Sequence, residues 1–360
     1  SVCGLFDEGQ TNDARLVLAT VAAAADLGTT VLNHARVVAL DRPAGRLARA
    51  SILGRAGEGV VDVRFTYVIN AAGPLVDKLR QLEDPACGPM ARLSKGVHLL
   101  LEPASEWRAG LVIPAEDGRV TMAIPWEGML MLGTTDTDYD GDPADCAVQD
   151  SDAAQVLAEA SLGLPGEMVR ADAVRFAFAA LRVLPLGGDT SANTHREHIV
   201  RTGRFGMVSI AGGKLTTHRR IAIEALHRLP DPRLSKLRLS DVPLPEASPA
   251  FVESADQETD PDVVTHLTRV YGRDSLAVMR QRWVHDDALE RIHPKGPDVW
   301  AQVYHAVERE WATTVEDIVR RRTTLSVRGL ASPAIRADVG RVLATTSDLA
   351  GRVMPCRVRA

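Results

Sequence analysis

Cysteine is scarce in these 360 residues: Cys3, Cys87, Cys146 and Cys356 stand far apart, with no C-x-x-C pair among them. That spacing excludes the usual signatures of a thiolate zinc site and of a disulfide framework, and it suits a reducing compartment. Long apolar runs are missing as well. The longest, "LVLATVAAAA" at 16–25, lies between Asp13 and Asp26 and is far shorter than the roughly 18 residues of a membrane span. No basic-then-apolar leader opens the chain. There is no basic excess: 42 Lys and Arg stand against 47 Asp and Glu, a net charge of −5, which argues against nucleic acid as the main partner. G-x-S-x-G, the P-loop, H-E-x-x-H and G-x-G-x-x-G are all absent, so serine-hydrolase, nucleotide-kinase and zincin readings lack support.

What is present is an ordinary globular composition, 45% apolar and 25% charged, with enough chain for two domains and a small third. A helix is predicted from about Asp13 to Leu27, stopped at Gly28, and strands over 30–40, 47–53 and 60–70. From Arg92 to Arg204 short strands alternate with Gly, Pro and Asp turns, interrupted by one helix near 151–162. Pro, Ser and acidic residues dominate 242–262, as in a surface crossing. Beyond it Pro261, the Thr314/Asp317 capping box and Ser332–Pro333 open helices, and Gly272 closes the first of them.

Three constellations invite a chemical reading. "DTDYDGD" (136–142) mimics a calcium loop, but Ala147 stands where an EF-hand needs its bidentate Glu. "HREH" (195–198) places two histidines on opposite faces of a strand. Neither is expected to hold a metal. "GMVSIAGGKLTTHRRIAIEAL" (206–226) reads as a strand, a double-glycine turn and a helix. Glycines where a strand becomes a helix let an anionic ligand approach the unpaired N–H groups of the helix start. Lys214 adds a point charge, and Thr216 and Thr217 add hydroxyl donors. An ordinary corner with no ligand is the alternative these residues leave open.

Taken in order, "YVINAAGPLVDKL", "RLSKGVHLLL", "RVTMAIPWEGMLMLGTTDTDYDGDP", "FAALRVLP", "HREHIV" and "IAGGKLTTHRR" resemble the FAD-dependent, respiratory-type glycerol-3-phosphate dehydrogenase family. "FDEGQTNDARLVLA" and "EREWATTVEDIVRRRT" carry the resemblance across nearly the whole chain. It implies an α/β fold of the D-amino-acid oxidase type: an incomplete Rossmann-like FAD domain over 1–89 and 206–241, a mixed-sheet substrate domain over 90–205, and an all-helical domain over 242–360. Because the family begins with a glycine-fingerprint unit that this chain lacks, the chain resembles an N-terminally truncated member, expected to be inactive by itself.

Residue by residue, the resemblance gives Gly212, Gly213, Leu215 and Thr216 to FAD, with Asn70, Ala71 and Gly73 of the "NAAG" turn and Val37 near the adenine. It gives Arg182, Arg196, Lys214 and Thr217 to the substrate and its phosphate. His98 is a candidate base, since imidazole titrates near neutral pH, and a packing role is its alternative. The implied reaction oxidises sn-glycerol 3-phosphate to dihydroxyacetone phosphate and passes electrons to quinone. The implied setting is cytoplasmic, peripherally attached to the inner membrane, with a homodimer as a further partner. A related FAD-dependent oxidase of an amine or 2-hydroxy acid, and a non-catalytic truncated product, are the alternative readings. The chain departs from the family at Ala179, Ala180 and Val183 around Arg182, at Glu197, and at His218 after the threonine pair.

Overall fold

A computed structural model describes residues 7–42, 45, 47–54, 59–115, 118–186, 198–239, 243–244 and 259–353, with side chains through 346. In chain order, helix α1 (Asp13–Asp26) precedes strands β1 (Arg36–Asp41), β2 (Arg49–Leu53), β3 (Val60–Arg64) and β4 (Ile69–Asn70). Helix α2 (Val76–Glu83) leads into β5 (Ala91–Leu101), β6 (Leu111–Pro114), β7 (Val120–Trp126), β8 (Met129–Gly133) and β9 (Thr137–Tyr139). Then come α3 (Asp150–Ala160), β10 (Val174–Pro185), β11 (His198–Thr202), β12 (Val208–Gly212) and α4 (His218–His227). The C-terminal helices are α5 (Pro261–Tyr271), α6 (Ser275–Met279), α7 (Trp300–Arg309), α8 (Val315–Asp317) and α9 (Pro333–Val353). Two compact units result, Asn33–Asp241, and Ser1–Leu32 together with Val242–Ala360. Among the described residues no helix is long and apolar enough to cross a membrane.

Among the described residues the α/β unit contains three sheets. β1, β2 and β3 form an antiparallel meander, and the predicted strand 60–70 divides into β3 and β4. A larger sheet runs β10-β5-β8-β7-β6, with β9 beside β5, and its described pairings are all antiparallel. The parallel pairing lies in the third sheet, β11-β12-β4, where Ser209 of β12 stands opposite Asn70 of β4.

Alternation along β5 decides which face of the large sheet is covered. Val97, Leu99 and Leu101 are fully buried and pack with Leu130, Leu132, Val156 and Ala160, so α3 lies on that face. Each such leucine contributes roughly 1.5–3 kcal/mol by leaving water. Lys95, on the same face, bonds Asp152 of α3 at 2.7 Å, and Asp152 also accepts from the Gln149 N–H at the helix start. Helix α3 is thereby fastened as well as packed, and β5 is left to present Ser94, Gly96 and His98 on its other side.

In the helical unit, Leu267, Tyr271, Val303, Ile318, Leu325 and Val339 form the core. The predicted stops and starts are in place: Gly272 has φ +52°, and Thr314 and Asp317 cap one another. Helix α1 belongs to this unit, rather than grouping with the rest of residues 1–89 as the sequence suggested. The reason is a buried charge: Arg15 bonds Glu310 at 2.6 Å and lies 4.3 Å from the centroid of the Tyr271 ring.

Two buried groups couple this unit to pH. Burial holds the His305 imidazole below its ordinary value. For Asp298 burial pushes upward, but hydrogen bonds from His266 and Thr324 outweigh it and hold the carboxyl below its usual range. In both cases the unfolded chain takes up the proton at higher pH than the folded one. The stabilisation is therefore present above the unfolded values and lost as pH falls. Calorimetry of the helical unit's transition should show Tm steady above neutrality, falling below about pH 6.5 and again below about pH 4. A Tm that rises between pH 7 and pH 5 would contradict this.

Candidate functional site

The face of the large sheet opposite α3 carries the candidate functional side chains. Phe178, Ala180 and Arg182 of β10 stand directly opposite His98, Gly96 and Ser94 of β5, so all six share that face. Arg182 is braced from the β8–β9 connection: it donates to the Thr135 carbonyl at 3.1 Å, to Thr134 Oγ1 at 2.9 Å and to Asp136 Oδ1 at 3.4 Å. Ser94 donates to the same Asp136 carboxylate. The Arg182 guanidinium lies over Gly96, where a Cβ would come within 2.6 Å of Nη2. The absence of a side chain at 96 thus makes room for a cation beside His98.

His98 is half-buried, stacked on Phe178 with ring centroids 5.0 Å apart and planes 13° off parallel. Gly133 of β8 is its cross-strand neighbour, and a Cβ there would meet the ring at 2.5 Å. Two glycines therefore set the site, one seating the imidazole and one the guanidinium. Beside them the Ala180 surface is exposed.

The second group of residues sits at strand ends in the small sheet. β12 runs into Gly212 and Gly213, with φ +79° and +91°, conformations in which an L side chain is strained. Gly213 also lacks room, since a Cβ would meet Ile221 Cδ1 at 2.4 Å and His198 Cβ at 3.2 Å. Lys214, Leu215 and Thr216 are exposed, and α4 begins directly after. The Thr217 hydroxyl donates to the Lys214 carbonyl at 3.0 Å, so it closes the turn. Asn70, buried at the end of the neighbouring parallel strand, donates to the Val76 carbonyl and to Ser209 Oγ and accepts from the Ala72 N–H. It shapes the turn that carries exposed Ala71 and left-handed Gly73.

The two groups meet through packing. Ala211, one residue before the glycine pair, shares an apolar cluster with Val76, Met90 and Val183, the last adjacent to Arg182. The strand that carries the glycine pair and the strand that carries Arg182 thus share one apolar cluster, through Ala211 and Val183. Val37 lies in the separate meander, opposite Ile52. Arg196 falls outside the described residues. Sequence reasoning missed Ser94, Gly96, Thr134, Asp136 and Phe178. The alternation of 94, 96 and 98 along one strand was the available signal. "DTDYDGD" is a set of clamps: Asp136 holds Arg182, Asp138 pairs with Arg92 and Asp142 with Lys78.

A backbone cradle of consecutive left-handed glycines at a strand-to-helix turn, with a second glycine turn on the parallel neighbour, suits a large anionic cofactor. Comparison with known proteins agrees. Residues 2–219 match the family model described as FAD dependent oxidoreductase. The chain belongs to that family. Residues 208–348 match the model of the C-terminal domain of alpha-glycerophosphate oxidase, which accounts for the helical unit. Among curated relatives, the chain is 33% identical over 371 residues to the probable mitochondrial glycerol-3-phosphate dehydrogenase of Caenorhabditis elegans, covering 94% of this chain and 50% of that one. It is 30% identical to the glycerol-3-phosphate dehydrogenase of a Synechocystis strain, covering 89% and 63%. The chain thus spans about half to less than two thirds of the length of these relatives. The structure is similar to that of the Bacillus halodurans glycerol-3-phosphate dehydrogenase complexed with FAD. The TM-score is 0.72 at 26% identity, covering 94% of this chain and 73% of that one.

The chain is a member of the FAD dependent oxidoreductase family over residues 2–219, with a D-amino-acid oxidase-type fold and a helical C-terminal domain. Gly212, Gly213 and the Asn70–Gly73 turn fit that cofactor as backbone contacts. Gly213→Ala should cost roughly 1–3 kcal/mol of strain and lower the flavin-to-protein absorbance ratio. Thermal unfolding and the visible spectrum of the purified variant check this, and a full flavin complement would contradict it.

Proposed function

We propose that this chain is the substrate-gripping and partial flavin-binding portion of an enzyme that oxidises sn-glycerol 3-phosphate to dihydroxyacetone phosphate and delivers the electrons to quinone. In this reading residues 33–89 and 206–241 contribute to the FAD domain, 90–205 form the substrate platform and 242–360 the helical domain. The observation that carries it is the guanidinium of Arg182, held over Gly96 by Thr134, Thr135 and Asp136 on the face that also bears His98.

A phosphate dianion is best gripped by convergent charged donors, and a guanidinium offers a planar fork. Arg182 is already oriented, so binding forfeits little side-chain freedom. Lys214, exposed after the glycine pair, supplies a second cation, and Arg196 a third. The rest of a three-carbon substrate then rests on the small exposed surface of Ala180. His98 takes the carbinol proton. Its Nδ1 is buried, so Nε2 is the nitrogen for that task. FAD, when bound, supplies the acceptor for the hydride leaving that carbon. Val37, Asn70, Ala71, Gly73, Gly212, Gly213, Leu215 and Thr216 are its proposed contacts, and Thr217 acts on the substrate side through the turn it closes. Peripheral attachment to the cytoplasmic face of the inner membrane, with a homodimer as the working form, completes the reading.

Arg182→Met in the complete enzyme should raise KM for glycerol 3-phosphate at least about thirtyfold, as expected when one partner of a buried charge contact worth about 2–5 kcal/mol is lost. Flavin content should stay near that of the parent. Gly96→Ala should shift KM in the same direction, because a Cβ there would come within 2.6 Å of Arg182 Nη2 and 2.7 Å of Thr134 Oγ1 and displace the pinned guanidinium. An unchanged KM in both variants would remove Arg182 from the substrate site.

A further inference from the structure

Helix α4 is held to its sheet by an apolar seam that stops short of the glycine turn. Along β11 the alternate residues His198, Val200 and Thr202 stand opposite Gly212, Ile210 and Val208 of β12, so the six share one face. Val200, Val208 and Ile210 pack with Ala225 and Leu226 of α4 and with Leu229 just beyond it. Ile199 and Ala211 point the other way, into the cluster with Val76, Met90 and Val183. The next position on the helix side, toward the turn, carries His198.

His198 is the second histidine of "HREH", and it extends the seam with a polar bond. Its Nε2 lies 2.8 Å from Glu224 Oε2 on α4, and with a carboxylate as acceptor Nε2 carries the proton. The two side chains are 19% and 39% exposed, and Arg228, one turn on, approaches the other Glu224 oxygen at 3.7 Å. A pair so open to water adds little to global stability. Its place in the fold is what counts. A Cβ on Gly213 would meet His198 Cβ at 3.2 Å and Ile221 Cδ1 at 2.4 Å, and Ile221 stands three residues before Glu224. Gly213 therefore passes between the strand and the helix that the bond ties together. Glycine has the most backbone freedom to lose, and Gly212 and Gly213 both sit at left-handed angles. A turn built from two of them keeps one conformation only if its flanks are fixed. Apolar packing fixes the flank at Ile221, and the His198–Glu224 bond fixes the other.

We propose that His198 and Glu224 are positioning residues for FAD, a bonded clamp that keeps the Gly212–Gly213 turn in the shape the cofactor meets. Without the bond the chain still folds, since the seam of Val200, Val208 and Ala225 remains. The turn then samples other conformations, and cofactor binding has to order it first. This inference rests on the assignment of the glycine turn to FAD, and on nothing in the reading of Arg182, His98 or the substrate.

The test titrates FAD into the apoenzyme of the complete protein, followed by quenching of flavin fluorescence, with thermal unfolding of each apoenzyme measured alongside. His198→Ala and Glu224→Ala should each raise the FAD Kd about five- to tenfold while the apoenzyme Tm stays close to the parent's. The double variant should bind no more weakly than either single one, because both remove the same bond. His198→Gln, whose amide N–H can reach Glu224, should recover most of the affinity, an outcome that loss of packing alone does not produce. Glu224→Ala alters a helix residue open to water and decides the matter if His198→Ala does not fold. An unchanged Kd in the alanine variants while Gly213→Ala loses flavin would overturn the clamp and leave the turn assignment standing. An unchanged Kd in all of them would overturn both together. Additive losses in the double variant, or no recovery in His198→Gln, would also overturn the clamp.

Discussion

A guanidinium lying over a glycine is the constraint on which the α/β unit's chemistry depends. Arg182 can occupy its place only because residue 96 has no side chain, and it is held there because Thr134, Thr135 and Asp136 offer acceptors from the opposite side. Ser94 fastens the same Asp136 to β5. The covered face of β5 contributes as well: Val97, Leu99 and Leu101 press on α3, and the Lys95–Asp152 bond pins that helix, so the strand cannot shift register without losing its core. Packing on one face thus keeps the geometry on the other.

The helical unit uses buried charge differently. Arg15, Glu310 and Arg322 bring chain segments from α1, the end of α7 and the turn after α8 together. A buried pair of this kind gains little net stability over an apolar packing, but loss of one partner is costly. Its effect is specification: α1 has an apolar face that could dock in many places, and one ion pair with a cation over an aromatic ring selects the docking seen.

Local signals in the sequence carried much of the fold. The strand, glycine pair and helix at 206–226 were legible because only glycine fits the left-handed angles found at 212 and 213. The Thr314/Asp317 box and the Gly272 stop were legible because caps are written within a few residues. Long-range partners were not. Arg15 meets Glu310 across 295 residues, and nothing in the local pattern of α1 announces it. Asp136 looked like part of a metal-loop mimic because its partners, Arg182 and Ser94, arrive from other strands. His98 was singled out by residue type, yet what positions it, Phe178 on one side and Gly133 on the other, follows from strand pairing alone. The resemblance supplied Arg182 as a phosphate ligand, and the structure adds how that side chain is held.

The central claim is that the site recognises a phosphate and not a carboxylate. Steady-state inhibition of glycerol 3-phosphate oxidation by the complete enzyme tests it most directly, with propyl phosphate and lactate compared at equal ionic strength. The account predicts competitive inhibition by propyl phosphate and little by lactate, because Arg182, with its supporting cations, presents more charge than a carboxylate requires. Competitive inhibition by lactate with indifference to propyl phosphate would contradict it and would favour an oxidase of a 2-hydroxy acid on the same fold.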